Sequence, residues 1–175
     1  MNVRPTLAVM SLFTLLFALA KAEPLKVGDR APAITVTTDT GAKLDLGAVY
    51  QKQPYTLVYF FPKAFTPGCT EQGCSLRDGY EALSQRGVAV IGISHDTVEK
   101  QHAFKEKYHF PFTLVADPDH TASKAFGVPN YPMTELAHRS AYLIHNGRIV
   151  YTDYKGTTNT QAAKILQVLQ QQKGS

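Results

Sequence analysis

Tyr55-Thr56-Leu57-Val58-Tyr59-Phe60-Phe61-Pro62-Lys63-Ala64-Phe65-Thr66-Pro67-Gly68-Cys69 decides how this chain is read. Its first seven residues are an unbroken apolar run, as in a central strand covered on both faces. A Pro-Gly break follows and places Cys69 where a helix should begin. A helix start directs unpaired backbone N–H groups outward and favours negative charge. A thiol held there is pushed toward thiolate, the form that attacks electrophiles. Cys74 follows five residues later. One activated thiol with a second close behind is the minimum equipment for a redox cycle.

The spacing of the two thiols carries its own constraint. If residues 69–84 are helical, Cys69 and Cys74 are separated by about 7.5 Å of rise alone. A disulfide needs its Cα atoms within about 7 Å. The bond therefore forms only if the helix melts. Gly73, just before Cys74, costs roughly 1 kcal/mol of helix stability relative to Ala, and is read as easing that melting.

Outward from this segment, the chain alternates strands and helices. Residues 33–37 and 43–46 flank Asp39-Thr40-Gly41 and suggest an N-terminal hairpin. Residues 88–93 are a second buried strand. Residues 97–108 read as a helix capped by Asp96 or Thr97, and residues 112–115 as a third short strand. A helix then ends at Phe126-Gly127, and Pro129-Asn130-Tyr131-Pro132 is a loop. Residues 140–145 and 148–154 are strands joined by Asn146-Gly147, a strong hairpin turn signal. Residues 160–172 close the chain as an amphipathic helix, with Ile165, Leu166, Val168 and Leu169 toward the core. The expected class is α/β, a thioredoxin-like fold with a central mixed sheet flanked by helices and an N-terminal hairpin.

The start of the 175-residue chain has a different character. Arg4 precedes a 14-residue apolar run, residues 7–20, and Ala20-Lys21-Ala22 fits a cleavage site before Glu23. Residues 1–22 are expected to be a secretory signal peptide, short for a membrane span. Residues 23–175 then form one domain, exported and most simply periplasmic, with no stable membrane association after cleavage. Without Arg4 and Lys21 it holds 16 basic against 14 acidic residues. The charges are interspersed, which gives no reason to expect nucleic acid as a partner.

The segment from Tyr59 to Cys74 resembles the active-site segment of the peroxiredoxins, matching their Pro-x-x-x-Thr-x-x-Cys pattern at Pro62, Thr66 and Cys69. With the second Cys at position 74 it is most similar to the PrxQ group, also called bacterioferritin comigratory proteins. Gly28-Asp29-Arg30-Ala31-Pro32, Gly92-Ile93-Ser94, Phe126-Gly127-Val128 and His138-Arg139-Ser140-Ala141-Tyr142-Leu143-Ile144 extend the resemblance over most of residues 23–175. It implies a peroxidase. Cys69 is the attacking thiolate, Cys74 resolves the sulfenic acid as a disulfide, and Thr66 places its hydroxyl at the sulfur or the peroxide. Arg139 holds thiolate and peroxide with its guanidinium fork, and Pro62 shields the sulfur. The substrates are hydrogen peroxide and organic hydroperoxides. The reductant is thioredoxin-like or another dithiol, no cofactor or metal is required, and the chain is expected to act as a monomer.

Plainer roles remain for several residues. Thr66 is also a natural N-cap. Glu71 and Arg77 read as helix-face charges, Lys63 as solvated, and Phe65 as core that reaches a pocket rim. The rival function is a Sco-like copper-binding protein using both thiols and His138. Those proteins space their cysteines one residue closer, and a cation beside the site opposes metal binding. A thioredoxin-like disulfide exchanger is the other rival, but Cys-x-x-Cys is absent.

Overall fold

The computed structural model describes residues 23–173; the segment read as a signal peptide lies outside them. The elements run β1 (Thr35–Thr38), β2 (Lys43–Asp45), α1 (Leu46–Lys52), β3 (Tyr55–Phe60), α2 (Pro67–Asp78), α3 (Tyr80–Gln85), β4 (Val88–Ser94), α4 (Val98–Tyr108), β5 (Thr113–Ala116), α5 (Thr121–Ala125), β6 (Ser140–His145), β7 (Arg148–Asp153) and α6 (Gln161–Lys173). They build one seven-stranded sheet in the order β2-β1-β5-β4-β3-β6-β7. The β5-β4-β3 centre is parallel, and β6-β7 and β1-β2 are antiparallel additions on either side. The mixed sheet and the N-terminal hairpin are those expected from the sequence.

Alternation along β3 divides the core, since successive side chains point to opposite faces. Leu57, Tyr59 and Phe61 pack with Leu76 of α2, Leu83 of α3, Phe104 of α4 and Ile165 and Leu169 of α6. Val58 and Phe60 pack with Leu46 and Tyr50 of α1, Ala122 of α5 and Phe126. The apolar run in β3 is therefore explained by burial on both faces.

Strand register sets up the site. Tyr55 faces His145 and Phe60 faces Ser140. Arg139, one residue before Ser140, thus lies beside the end of β3 where the chain departs toward Cys69. On the other side Phe60 faces Ile93 in parallel pairing, and Phe61 N–H donates to Ile93 O at 3.0 Å. That register brings the loop after β4 alongside the loop after β3.

Two local readings need correction. The helix expected over residues 69–84 is two helices, broken at Gly79, where a Cβ would come within 2.5 Å of the Ala162 Cβ on α6. Helix α1 was not anticipated; Asp45 caps it, accepting from Gly47 and Ala48 N–H. Gly73 is also demanded by packing, since a Cβ there would run into the Phe110 ring. The cap of α4 is Thr97, which accepts from Lys100 N–H, and Asp96 is freed for another task. The Asn146-Gly147 turn forms as read, both residues at positive φ (49° and 71°).

Gly92 shows how tightly the sheet face beneath α2 is filled. A Cβ there would lie 2.6 Å from the Tyr59 ring and 2.8 Å from Leu114 Cδ2. Gly92→Ala is expected to destabilise the fold by about 1–3 kcal/mol through overpacking, read as a lowered urea midpoint at unchanged slope.

Candidate active site

Helix α2 opens with Thr66 as N-cap, Pro67, Gly68 and Cys69. Pro67 has no N–H to leave unpaired, and its ring fixes the dihedral a first helical residue needs. The first helical hydrogen bond runs from Thr70 N–H to Thr66 O at 2.9 Å. The N–H groups of Gly68 and Cys69 precede it, so they point out of the helix start with no backbone acceptor.

Phe65, at φ 68°, turns the chain into the helix in a left-handed conformation that a bulky residue rarely adopts. Packing holds it there. Its ring meets Phe104 edge to face, centroids 5.1 Å apart, and lies under Lys107 Nζ at 5.6 Å. Phe65 is 38% exposed, so it is not wholly a core residue.

Cys69 is buried (2% exposed). Arg139 Nη2 lies 3.4 Å from its Sγ. Gly68 permits this approach, since a Cβ there would stand 3.3 Å from the same Nη2. The other guanidinium branch, Nη1, donates to Gln72 Oε1. No carboxylate forms a salt bridge with Arg139 among the described residues. Its charge is thus directed at the sulfur, and a neutral amide holds the rest of the fork.

The other expected residues are placed with different results. Cys74 is half-buried on the same unbroken helix, and both thiols are free. The Thr66 hydroxyl donates to Lys63 O at 2.9 Å, and Thr66 makes no side-chain cap. That bond shapes the loop; no hydrogen bond joins Thr66 to Cys69 among the described residues. Pro62 ends the strand and, with His95, His120 and Leu136, lines a cavity of about 360 Å³. Arg77 is more than a surface charge: its Nη1 donates to Tyr108 O at 2.9 Å, tying α2 to the end of α4. His138 packs against the Tyr131 ring at a tilt, and its Nδ1 lies 3.1 Å from Arg139 O. It joins neither thiol in a ligand set, and among the described residues no three His, Cys, Asp or Glu side chains are arranged to hold a metal ion.

Tyr59 forms part of the apolar floor. It is 1% exposed, and its hydroxyl has no hydrogen-bond partner among the described residues. Burial pushes its pKa far above the ordinary tyrosine value, and the neighbouring Cys69 adds to the rise. Tyr59 therefore stays neutral next to the sulfur.

Asp96 and Gln72 are the site residues the sequence reading missed. Asp96 accepts from Ala64 N–H, the Ser94 hydroxyl and Lys100 Nζ, each at 2.7 Å. It thereby fastens the loop between β3 and Cys69 to the end of β4. Gln72 is fully buried. Both positions held a signal. Asp96 precedes a helix already capped by Thr97. Gln72 lies four residues before Leu76, on the stripe that should be apolar.

Residues 27–152 match the model of the AhpC/TSA family. The chain belongs to that family. Peroxiredoxin Bcp of Escherichia coli is 42% identical over 140 residues, covering 75% of this chain and 88% of that protein. Peroxiredoxin Bcp of Bacillus subtilis is 34% identical over 151 residues, covering 83% and 95%. The crystal structure of peroxidoxin BcpB from Mycobacterium tuberculosis superposes with a TM-score of 0.78 at 26% identity, covering 84% of this chain and 97% of that one. The fold is that of a peroxiredoxin, and the activity is thiol-dependent peroxide reduction. The copper-binding and disulfide-exchange alternatives are not favoured.

The Asp96 tether has a pH consequence. Burial alone would raise its pKa, but the bonds from Ala64, Lys100 and Ser94 outweigh it and hold the carboxyl below its ordinary range. A group depressed in the folded state stabilises the fold above its unfolded pKa, and loses that contribution as pH falls through the folded value. Wild-type stability is expected to decline in acid, below about pH 4. Asp96→Ala should show a shallower decline and a cost of about 1–3 kcal/mol at neutral pH. Urea titrations of both proteins across that range check it.

Proposed function

We propose that Cys69 is the peroxidatic residue and Cys74 its resolving partner within the same chain. The observation that carries this is the approach of Arg139 Nη2 to Cys69 Sγ, 3.4 Å, at the open N-terminus of α2. A hydroperoxide entering here meets a sulfur flanked by a fixed cation and by the N–H groups of Gly68 and Cys69. The thiolate attacks the terminal peroxide oxygen, and the O–O bond breaks. The departing alkoxide or hydroxide takes a proton and leaves as alcohol or water. Arg139 and the two N–H groups stabilise the charge that develops on oxygen, a contribution of the oxyanion-hole kind. Pro62 and Phe65 help to keep bulk water from the sulfur, and Thr66 shapes the turn through Lys63 O.

Cys69 is left as sulfenic acid. Cys74 condenses with it, forming the S–S bond and releasing water. The two Cα atoms are a turn and a half apart on one helix, so α2 must unwind between them. An external dithiol, thioredoxin-like or small, reduces the disulfide by exchange. We further propose that residues 1–22 direct export, so that this chemistry runs in the periplasm with a periplasmic reductant, and that the chain acts as a monomer. Support comes from the leader-like layout of residues 1–22. Cell fractionation and N-terminal sequencing of the expressed protein test the export reading; an intact Met1 in the cytosol would overturn it.

Thiol titration after one equivalent of hydrogen peroxide tests the chemistry. Wild type should lose both thiols rapidly. Cys69→Ser should keep its remaining thiol, and Cys74→Ser should lose one and stop without added thiol. Arg139→Met should slow the first step about 10²-fold or more, the scale of losing a transition-state donor, by stopped-flow measurement. Thiol loss in wild type no faster than in Cys69→Ser would sink the assignment.

A further inference from the structure

We propose that Gln161 is a positioning residue. It is the fixed end of a buried latch, Arg139–Gln72–Gln161, that keeps the segment between the two cysteines helical. The latch thereby sets how Cys69 sulfenic acid divides between disulfide formation and over-oxidation. This inference rests on the proposed roles of Cys69 and Cys74.

The latch is a continuous chain of three side chains. Gln72 Oε1 accepts from Arg139 Nη1, and Gln72 Nε2 donates to Gln161 Oε1 at 2.7 Å. Gln72 is 0% and Gln161 2% exposed, so both amides are cut off from water. Breaking either bond leaves a buried donor or acceptor unpaired, which is more costly than the net value of the bond. The end at Arg139 is charge-assisted and stronger than a neutral pair.

Gln161 is stationary while Gln72 must move. Gln161 is the first residue of α6, which Ile165, Val168 and Leu169 anchor in the core. Gln72 lies between Cys69 and Cys74, the segment that has to unwind before their sulfurs can meet. Disulfide formation therefore pulls Gln72 from both partners. A second tie between the helices, Ala162 N–H to Ser75 Oγ at 3.3 Å, lies beyond Cys74 and need not break. The latch is also uncharged. A carboxylate at position 72 would neutralise Arg139, whereas the amide restrains the fork and leaves its charge for the sulfur.

The sulfenic acid has two fates. It condenses with the Cys74 thiol, losing water, or it attacks a second peroxide, giving sulfinic acid and an alcohol or water. The first requires the latch to open; the second proceeds with it closed. The stronger the latch, the larger the share that over-oxidises when peroxide is in excess.

The test is intact-mass analysis of the full protein after excess hydrogen peroxide, scoring the ratio of disulfide to sulfinic acid. Gln161→Met removes the acceptor while keeping the volume. Its ratio should rise roughly fivefold, equivalent to about 1 kcal/mol at ~1.4 kcal/mol per tenfold. Gln161→Glu keeps an acceptor for Gln72 Nε2 and should return the ratio toward wild type. Ser75→Ala should lower the thermal midpoint but leave the ratio unchanged. Should Gln161→Met not fold, Gln161→Asn, which withdraws the acceptor by one methylene, should shift the ratio in the same direction. An unchanged ratio in Gln161→Met and Gln161→Asn, or an equal shift in Ser75→Ala, overturns the latch and leaves the roles of Cys69 and Cys74 standing. Loss of neither thiol in wild type would instead remove those roles, and the latch with them.

Discussion

The antiparallel register between β3 and β6 is the constraint on which the rest of the site depends. It places Ser140 opposite Phe60, and thereby delivers the guanidinium of Arg139 to the start of α2. The two residues that meet, Cys69 and Arg139, are 70 positions apart in the chain. Since the side-chain period in a strand is two, a one-residue slip would send Arg139 to the opposite face of the sheet. The apolar side chains of both strands, buried on both faces, penalise such a slip, so core packing guards the geometry of the chemistry.

Around that contact the surrounding structure holds rather than reacts. Asp96 ties the loop after β3 to the end of β4. Thr66 closes the turn through Lys63 O, and Phe65 is held in a left-handed conformation by its aromatic neighbours. Such strain persists only where the surrounding packing over-determines it. The loop that leads into Cys69 is thus fixed on several sides, and in the proposed cycle the part that moves is α2 between the two thiols.

Much of this was legible in the sequence because the signals were local. The apolar run of β3, the Pro-Gly break and the Cys69/Cys74 pair lie within twenty consecutive residues, and Asn146-Gly147 names its own turn. What escaped reading depends on distant partners. Gly73 reads as a helix weakener, and its second role shows only through Phe110, 37 positions away, which occupies the space a Cβ would need. Gln72 sits on the stripe of α2 that should be apolar, but its partner Gln161, 89 positions away, looks like an ordinary surface amide, and only tertiary packing shows them as one buried pair. Asp96 resembled a cap because a carboxylate before a helix usually is one. The glycine at position 79, between α2 and α3, likewise answers to a distant partner, since a Cβ there would clash with Ala162.

The aromatic bed under α2 has a consequence for observation. The chain contains nine tyrosines and no tryptophan, so no indole is present to collect or swamp their emission. Tyr59, Tyr80 and Tyr108 pack in the cluster that α2 covers, among Phe104, Phe110 and Phe112. Any rearrangement of that helix changes the polarity and the sulfur chemistry next to these phenols. If α2 unwinds in the proposed cycle, these tyrosines become an intrinsic optical reporter of it, readable by ultraviolet fluorescence and near-ultraviolet circular dichroism without a label.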